Sequence, residues 1–291
     1  SYMWLYTTGS DALTPIVLYD YQPSCKGSCA QNFIEGFRGL VQCDGYQGYN
    51  KLEDVILVCC LAHARRKFFE AVPAARRKRL KLLDINSDEA IEDISLPDEE
   101  EAKQLLPAEI GLLYCNKLFY LERTLKDLNP EERKQQRDVL EQPVWDQFWN
   151  WLDTLHPTGG SKLGKAVNYA QNHHDTLMNY LLDGRCEISI NRAERKAKSY
   201  AIGRKAFLFH TSETGAGASA VMYSIVETAK ANNLNIFQYL YTVLLYMPDY
   251  MNSSAGIEQL MPWSEFIKEQ CSGLIDVESN VPEKRIPLPH R

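Results

Sequence analysis

Strand-like sequence is concentrated at the front of this chain and helical period takes over behind it, an order that limits the fold more than any single motif. "YMWLYTT" and "PIVLYDY" are short aromatic and β-branched runs separated by the turn-rich "GSDALT", the pattern of an antiparallel pair. "LVQCDGY" then reads as a strand ending at Asp44-Gly45, and "DVILVCCLA" as an apolar run suited to a buried parallel strand. Between them, "CAQNFIEGFRG" sets Phe33, Ile34 and Phe37 at helical spacing, with Gly39 as the expected stop. "HARRKFFEAV" leaves the last of these strands as a helix. The front of the chain is therefore α/β in class.

From about Ala75 to Asp183 the pattern is helical: Ile110, Leu113, Leu118, Leu121, Leu125 and Leu128 keep a helical period. "NPEER" puts Asn129 and Pro130 where an N-cap and a first helical residue belong, and a second apolar face runs through Val144, Trp145, Phe148, Trp149, Leu152 and Leu155. Two further helices are expected from "GAGASAVMYSIVETAKAN" and "IFQYLYTVLLYM", and a short one from "PWSEFIKEQC" in a Ser/Pro-rich tail. With 291 residues, 45% of them hydrophobic, one large domain or two small ones can form a core.

Charge is segregated. From Ala64 to Leu82 eight cations stand against Glu70 alone, and from Asp84 to Glu101 nine acids occur with no cation. Such blocks are usually solvated. The overall charge of −6 argues against a dedicated nucleic-acid binder, although the acidic block alone exceeds it and leaves the remainder mildly basic. The eight cysteines form no zinc-ribbon or disulfide framework, so a reducing, cytoplasmic setting is expected, with Cys25 and Cys29 as free thiols. The longest apolar stretch, Asn235 to Pro248, falls short of the roughly 20 residues that span a bilayer, so no membrane partner is expected. The opening "SYMWLY" has no start methionine, basic leader or signal segment and reads as part of something longer.

Two carboxylates stand out. Asp44 ends a strand where α/β sheets present ligand-binding groups, although Asp-Gly is also an ordinary turn. Glu194 lies in "INRAERKAKSYAIGRK" among Arg192, Arg195, Lys196, Lys198, Arg204 and Lys205. An acid holding a divalent cation beside DNA would have such phosphate-binding neighbours; equally, Asn191 and Glu194 have the spacing of a capping box. Asp20 in "VLYDY" reads as a strand-edge charge. "GGSKLGKA" nearly matches a phosphate-binding loop, but it ends in Ala166 and follows a helix end, so a nucleotide site is not expected. "NHHD" offers His173, His174 and Asp175, which read as a solvated helix surface.

Taken in order, "PIVLYDYQPS", "DGYQGYN", "AHARRKFFEA", "SKLGKAVNYA", "NRAER", "IGRKAFLF", "GAGASAVMYSIVETAKANNL" and "MPW" resemble the transposases of the insertion sequence 66 family over nearly the whole chain. The resemblance implies a ribonuclease H-like mixed sheet lacking its first strand, with a large helical insertion and a helical C-terminal part. It divides the chain into residues 1–74 and 190–247 as catalytic core, 75–189 as insertion and 248–291 as tail. It also implies a DDE site in which three carboxylates bind two Mg²⁺ or Mn²⁺ ions for phosphodiester cleavage and strand transfer. Asp44 matches the second acid and Glu194 the third, while the first lies upstream of Ser1, so weak activity is expected of this chain alone.

Partners implied by the resemblance are the element ends and target DNA, with a homo-oligomer and accessory transposition proteins, on the nucleoid when bound. Phosphate contacts are expected from Arg65, Arg66, Lys67, Arg76, Arg77, Arg79, Arg192, Arg195, Lys198, Arg204 and Lys205. His63 is expected in a structural or phosphate-contact role. Two departures from the family pattern are Ser189 and Ile190, where it usually has Asp and Asn, and Leu61 in "CLAH", where it often has Trp. A metal-dependent nuclease of the same fold and an inactive DNA-binding or accessory remnant stay open as alternatives.

Overall fold

The computed structural model describes residues 2–77, 94–208, 210–250 and 254–273. In chain order the elements are β1 (Tyr2–Thr7), β2 (Val17–Gln22), α1 (Gly27–Phe33), β3 (Gly39–Cys43), β4 (Val55–Cys59), α2 (Leu61–Ala71), α3 (Ala74–Arg77), α4 (Glu99–Gln104) and α5 (Pro107–Thr124). There follow α6 (Pro130–Leu140), α7 (Gln142–Asp153), α8 (Lys162–Asn172), α9 (His174–Met178), α10 (Asn191–Phe207), α11 (Glu213–Ala231), α12 (Ile236–Tyr246) and α13 (Glu265–Cys271). The chain is thus mixed α/β, mostly helical with small sheets. Among the described residues the strands pair two by two, β1 with β2 antiparallel and β3 with β4 parallel. No described helix is long and apolar enough to cross a membrane.

Two compact units form, a split one from residues 1–25 with 193–291 and a continuous one from residues 26–192. In the split unit, strand alternation turns Val17 and Tyr19 inward and leaves Leu18 exposed. The outer edge of β2 would present unpaired backbone groups, and α11 covers it with hydroxyls one turn apart. Thr228 Oγ1 accepts from Val17 N (3.0 Å) and donates to Val17 O (2.9 Å), while Ser224 Oγ accepts from Tyr19 N (2.8 Å). A second small core joins α12 and α13 through Tyr239, Tyr246, Phe266 and Ile267.

The continuous unit packs α2, α5, α7 and α8 around Phe68, Leu112, Leu118, Trp145, Phe148, Leu152 and Val167. Gly111 lets α5 approach α2 closely, because a Cβ there would lie 2.4 Å from the Phe68 ring. Asn129 caps α6 by accepting from Glu132 N at 2.9 Å, with Pro130 as the first helical residue, as the sequence predicts. Arg137 is fully buried. Its guanidinium donates to Glu122 Oε1 (2.6 Å) and Oε2 (2.9 Å) and to the carbonyls of Tyr180 (2.8 Å), Asp183 (2.9 Å) and Cys186 (2.7 Å).

Two elements depart from the pattern reading. The helix expected to run to Gly39 stops at Phe33, and Gly36, at φ +79°, turns the chain toward β3. Phe33 and Phe37 are 43% and 48% exposed, so helical spacing here does not mark a buried face. β4 is only partly covered, with Ile56 at the surface.

Candidate active site

Asp44 follows the last residue of β3, in the continuous unit, half-buried. Its Oδ1 accepts from Tyr46 N at 2.9 Å, the closed turn that Asp favours, and among the described residues its Oδ2 accepts no hydrogen bond. Cys43 and Cys59 end the two parallel strands side by side. Burial pushes both thiols up, and the Asp44 charge adds to it, so they stay protonated at neutral pH. The charged donor at this strand end is therefore a hard carboxylate oxygen, suited to Mg²⁺ or Mn²⁺ rather than to a soft metal.

Tyr169 of α8 lies against the Asp44-Gly45 turn: a Cβ at Gly45 would come within 2.4 Å of its hydroxyl. The same hydroxyl is 3.6 Å from Cys59 Sγ, and burial pushes its pKa up. Lys67 of α2 places Nζ 4.8 Å from the centre of the Tyr169 ring, and the His173 ring packs on that ring at 4.5 Å. Burial holds the His173 imidazole below its ordinary range, Lys67 does the same, and Asp44 opposes both. Sequence reasoning assigned "NHHD" to a solvated surface. That describes His174 and Asp175, which are exposed and bonded to each other at 2.7 Å, but His173 belongs to the surroundings of Asp44. Spacing carried no signal for it, because helix ends meet strand ends only through tertiary packing.

The segment before α10 is anchored to the same strand ends. Gln42 Nε2 donates to Glu187 O at 2.5 Å and Gln42 Oε1 accepts from Glu187 N at 3.4 Å. Leu61 N donates to Ile188 O at 3.1 Å, and Ile190 N points to Cys60 Sγ at 3.4 Å. Ser189 is buried, and Leu61 lies in the core at 1% exposure, so both departures from the family pattern sit inside the fold. The helix begins at Asn191, which makes that residue the first helical position rather than the cap, with Glu194 half-buried in the first turn. Glu194 falls in the split unit and Asp44 in the continuous one. Among the described residues no three His, Cys, Asp or Glu side chains group so as to hold a metal.

The cations divide by their partners. Arg65 donates to Asn116 Oδ1 at 2.6 Å, Arg76 is bidentate on the buried Glu109 at 2.8 Å, and Arg77 donates to the carbonyls of Val72 (2.8 Å) and Glu70 (2.7 Å). Arg192 is 3.8 Å from Glu187. Arg66, Arg195, Lys198, Arg204 and Lys205 are exposed, and Arg79 lies outside the described residues. His63 sits in the first turn of α2, its N–H donating to Cys60 O at 3.2 Å. "GGSKLGKA" is the capped start of α8: Ser161 Oγ accepts from Gly164 N at 2.9 Å, after a turn at Gly160 with φ +83°.

Comparison with known proteins adds an independent line. The family model described as "Transposase IS66 family" matches residues 1–218, and that described as "IS66 C-terminal element" matches residues 224–263. Among similar curated proteins are the uncharacterized proteins y4hP, y4jD and y4qI of Sinorhizobium fredii (strain NBRC 101917 / NGR234). They are 27%, 28% and 26% identical over 86% of this chain. The chain spans 44%, 46% and 43% of their respective lengths, so less than half of each. No solved structure matches.

Proposed function

This chain belongs to the IS66 transposase family, and we propose that it carries two of the three carboxylates, Asp44 and Glu194, of a ribonuclease H-like site that cleaves and joins DNA strands. The observation that carries the reading is the setting of Asp44: a half-buried carboxylate at the end of a parallel strand, one oxygen fixed by Tyr46 N–H, beside thiols held neutral. When bound, a pair of Mg²⁺ or Mn²⁺ ions supplies charge neutralisation at the phosphate and activation of the attacking oxygen. Asp44 and Glu194 supply hard oxygen ligands.

The chain's own groups do the rest. Lys67, held over the Tyr169 ring, presents a positive charge beside the ring that packs on the Asp44-Gly45 turn, and Tyr169 keeps that turn in place. The exposed Arg66, Arg195, Lys198 and Lys205 contact DNA backbone. The working protein is cytoplasmic, acts on element ends and target DNA, and assembles with further copies or accessory proteins.

The test is calorimetric titration of the full chain with Mn²⁺, alongside Asp44→Asn and Glu194→Gln. Each substitution is expected to weaken binding by roughly 10-fold or more. Unchanged Mn²⁺ affinity in both variants would remove the metal site and with it the catalytic reading.

A further inference from the structure

The split unit contains a cleft of about 380 Å³, within the usual range of small-ligand sites. Tyr2 of β1 and Tyr21 of β2 form one wall, Tyr200 and Arg204 of α10 another, and His210 and Ser212 before α11 the third. At the end of α10, Leu208 N donates to Arg204 O at 2.7 Å while Leu208 itself sits at φ +64°, a conformation unusual for a branched residue. His210 lies against Tyr200, with Nε2 2.9 Å from the hydroxyl.

Four rings and one arginine therefore line a single space. Arg204 is exposed and lines the cleft. Burial pushes the Tyr200 hydroxyl up, and the nearby Arg204 charge opposes this, so the cation and the ring act on the same volume. A bare phosphate would leave the tyrosine faces unused. An uncharged aromatic ligand would leave Arg204 unused. Glu213 at the rim disfavours a second phosphate.

We propose that this cleft receives one unstacked nucleotide of a DNA single strand, its base against the tyrosine rings and its phosphate on Arg204. Aromatic faces accept any base, so the site favours single strands over duplex without reading sequence. The identity of the strand rests on the DNA-acting function above, whereas the cleft itself does not depend on the metal-binding acids.

Fluorescence anisotropy of a labelled short oligothymidylate, with the full chain in metal-free buffer, tests the proposal; a hairpin duplex of matched charge serves as comparison. Arg204→Ala and Tyr2→Ala are expected each to weaken single-strand binding by roughly tenfold while duplex binding hardly changes. Because the buffer holds no metal, loss of the metal site leaves this readout unmoved, which separates its failure from failure of the cleft. Tyr2 and Arg204 are both exposed, so unchanged thermal melting is expected and is measured for each variant. Wild-type single-strand affinity in both variants overturns the proposal. So does an equal loss on duplex and single strand, which would mark Arg204 as part of a general electrostatic surface.

Discussion

Replacing Arg137 by Met should be the most damaging single change in the continuous unit. The guanidinium is fully buried and makes five hydrogen bonds, two to Glu122 and three to the carbonyls of Tyr180, Asp183 and Cys186. Breaking a buried ion pair by removing one partner costs about 3–5 kcal/mol. Each carbonyl left buried without a donor adds up to about 1–3 kcal/mol, less whatever relaxation recovers. A loss of at least 4 kcal/mol is therefore expected, a large part of the roughly 5–15 kcal/mol that holds an ordinary domain together. Urea unfolding followed by Trp145, Trp149 and Trp151 fluorescence measures it as a lower midpoint, and amide exchange should show residues 180–190 opening first. A loss below about 1.5 kcal/mol would refute the reasoning, since that is what a single ordinary hydrogen bond supplies.

Glu141 is buried, and its carboxyl is held well above the usual range by burial and by the Glu122 charge, while the Tyr180 hydroxyl donates to it. The folded chain therefore keeps a proton that the unfolded chain releases, and the stability tied to that proton is full at acid pH and is lost as pH rises toward the folded pKa. Glu141→Gln should flatten the fall of the urea midpoint as pH rises above the ordinary glutamate range, with the variant gaining relative to wild type at the upper end. Gly184→Ala should destabilise by about 2 kcal/mol or more, seen as a lower melting temperature, because the added Cβ would meet the Pro130 carbonyl oxygen at 1.8 Å and a backbone atom cannot move aside cheaply.

Local chemistry was legible where it is decided locally. Asn129-Pro130 opens α6, and the aromatic runs at the front pair as an antiparallel ribbon, because caps and alternation depend on neighbours in sequence. α1 was overextended because Phe33 and Phe37 have the right spacing but no surface to cover. The basic run was legible as charge and not as partnership: Arg65 and Arg76 are matched to Asn116 and Glu109 on α5, more than thirty residues away in sequence. Asp44 could be picked out from its strand end. Tyr169 and His173 could not, since only the packing of α8 carries them there.

The strand ends at Cys43 and Cys59 share one core with the helices that follow them: Tyr169 reaches Cys59 and the turn at Gly45, and Leu61 N–H holds the Ile188 carbonyl. Those helices are thus the buttress of Asp44 as well as its neighbours in sequence. A chain shortened between Leu61 and Ile188 would lose the support of that carboxylate together with the excised residues, so the strands and the helices stand or fall as one folded body.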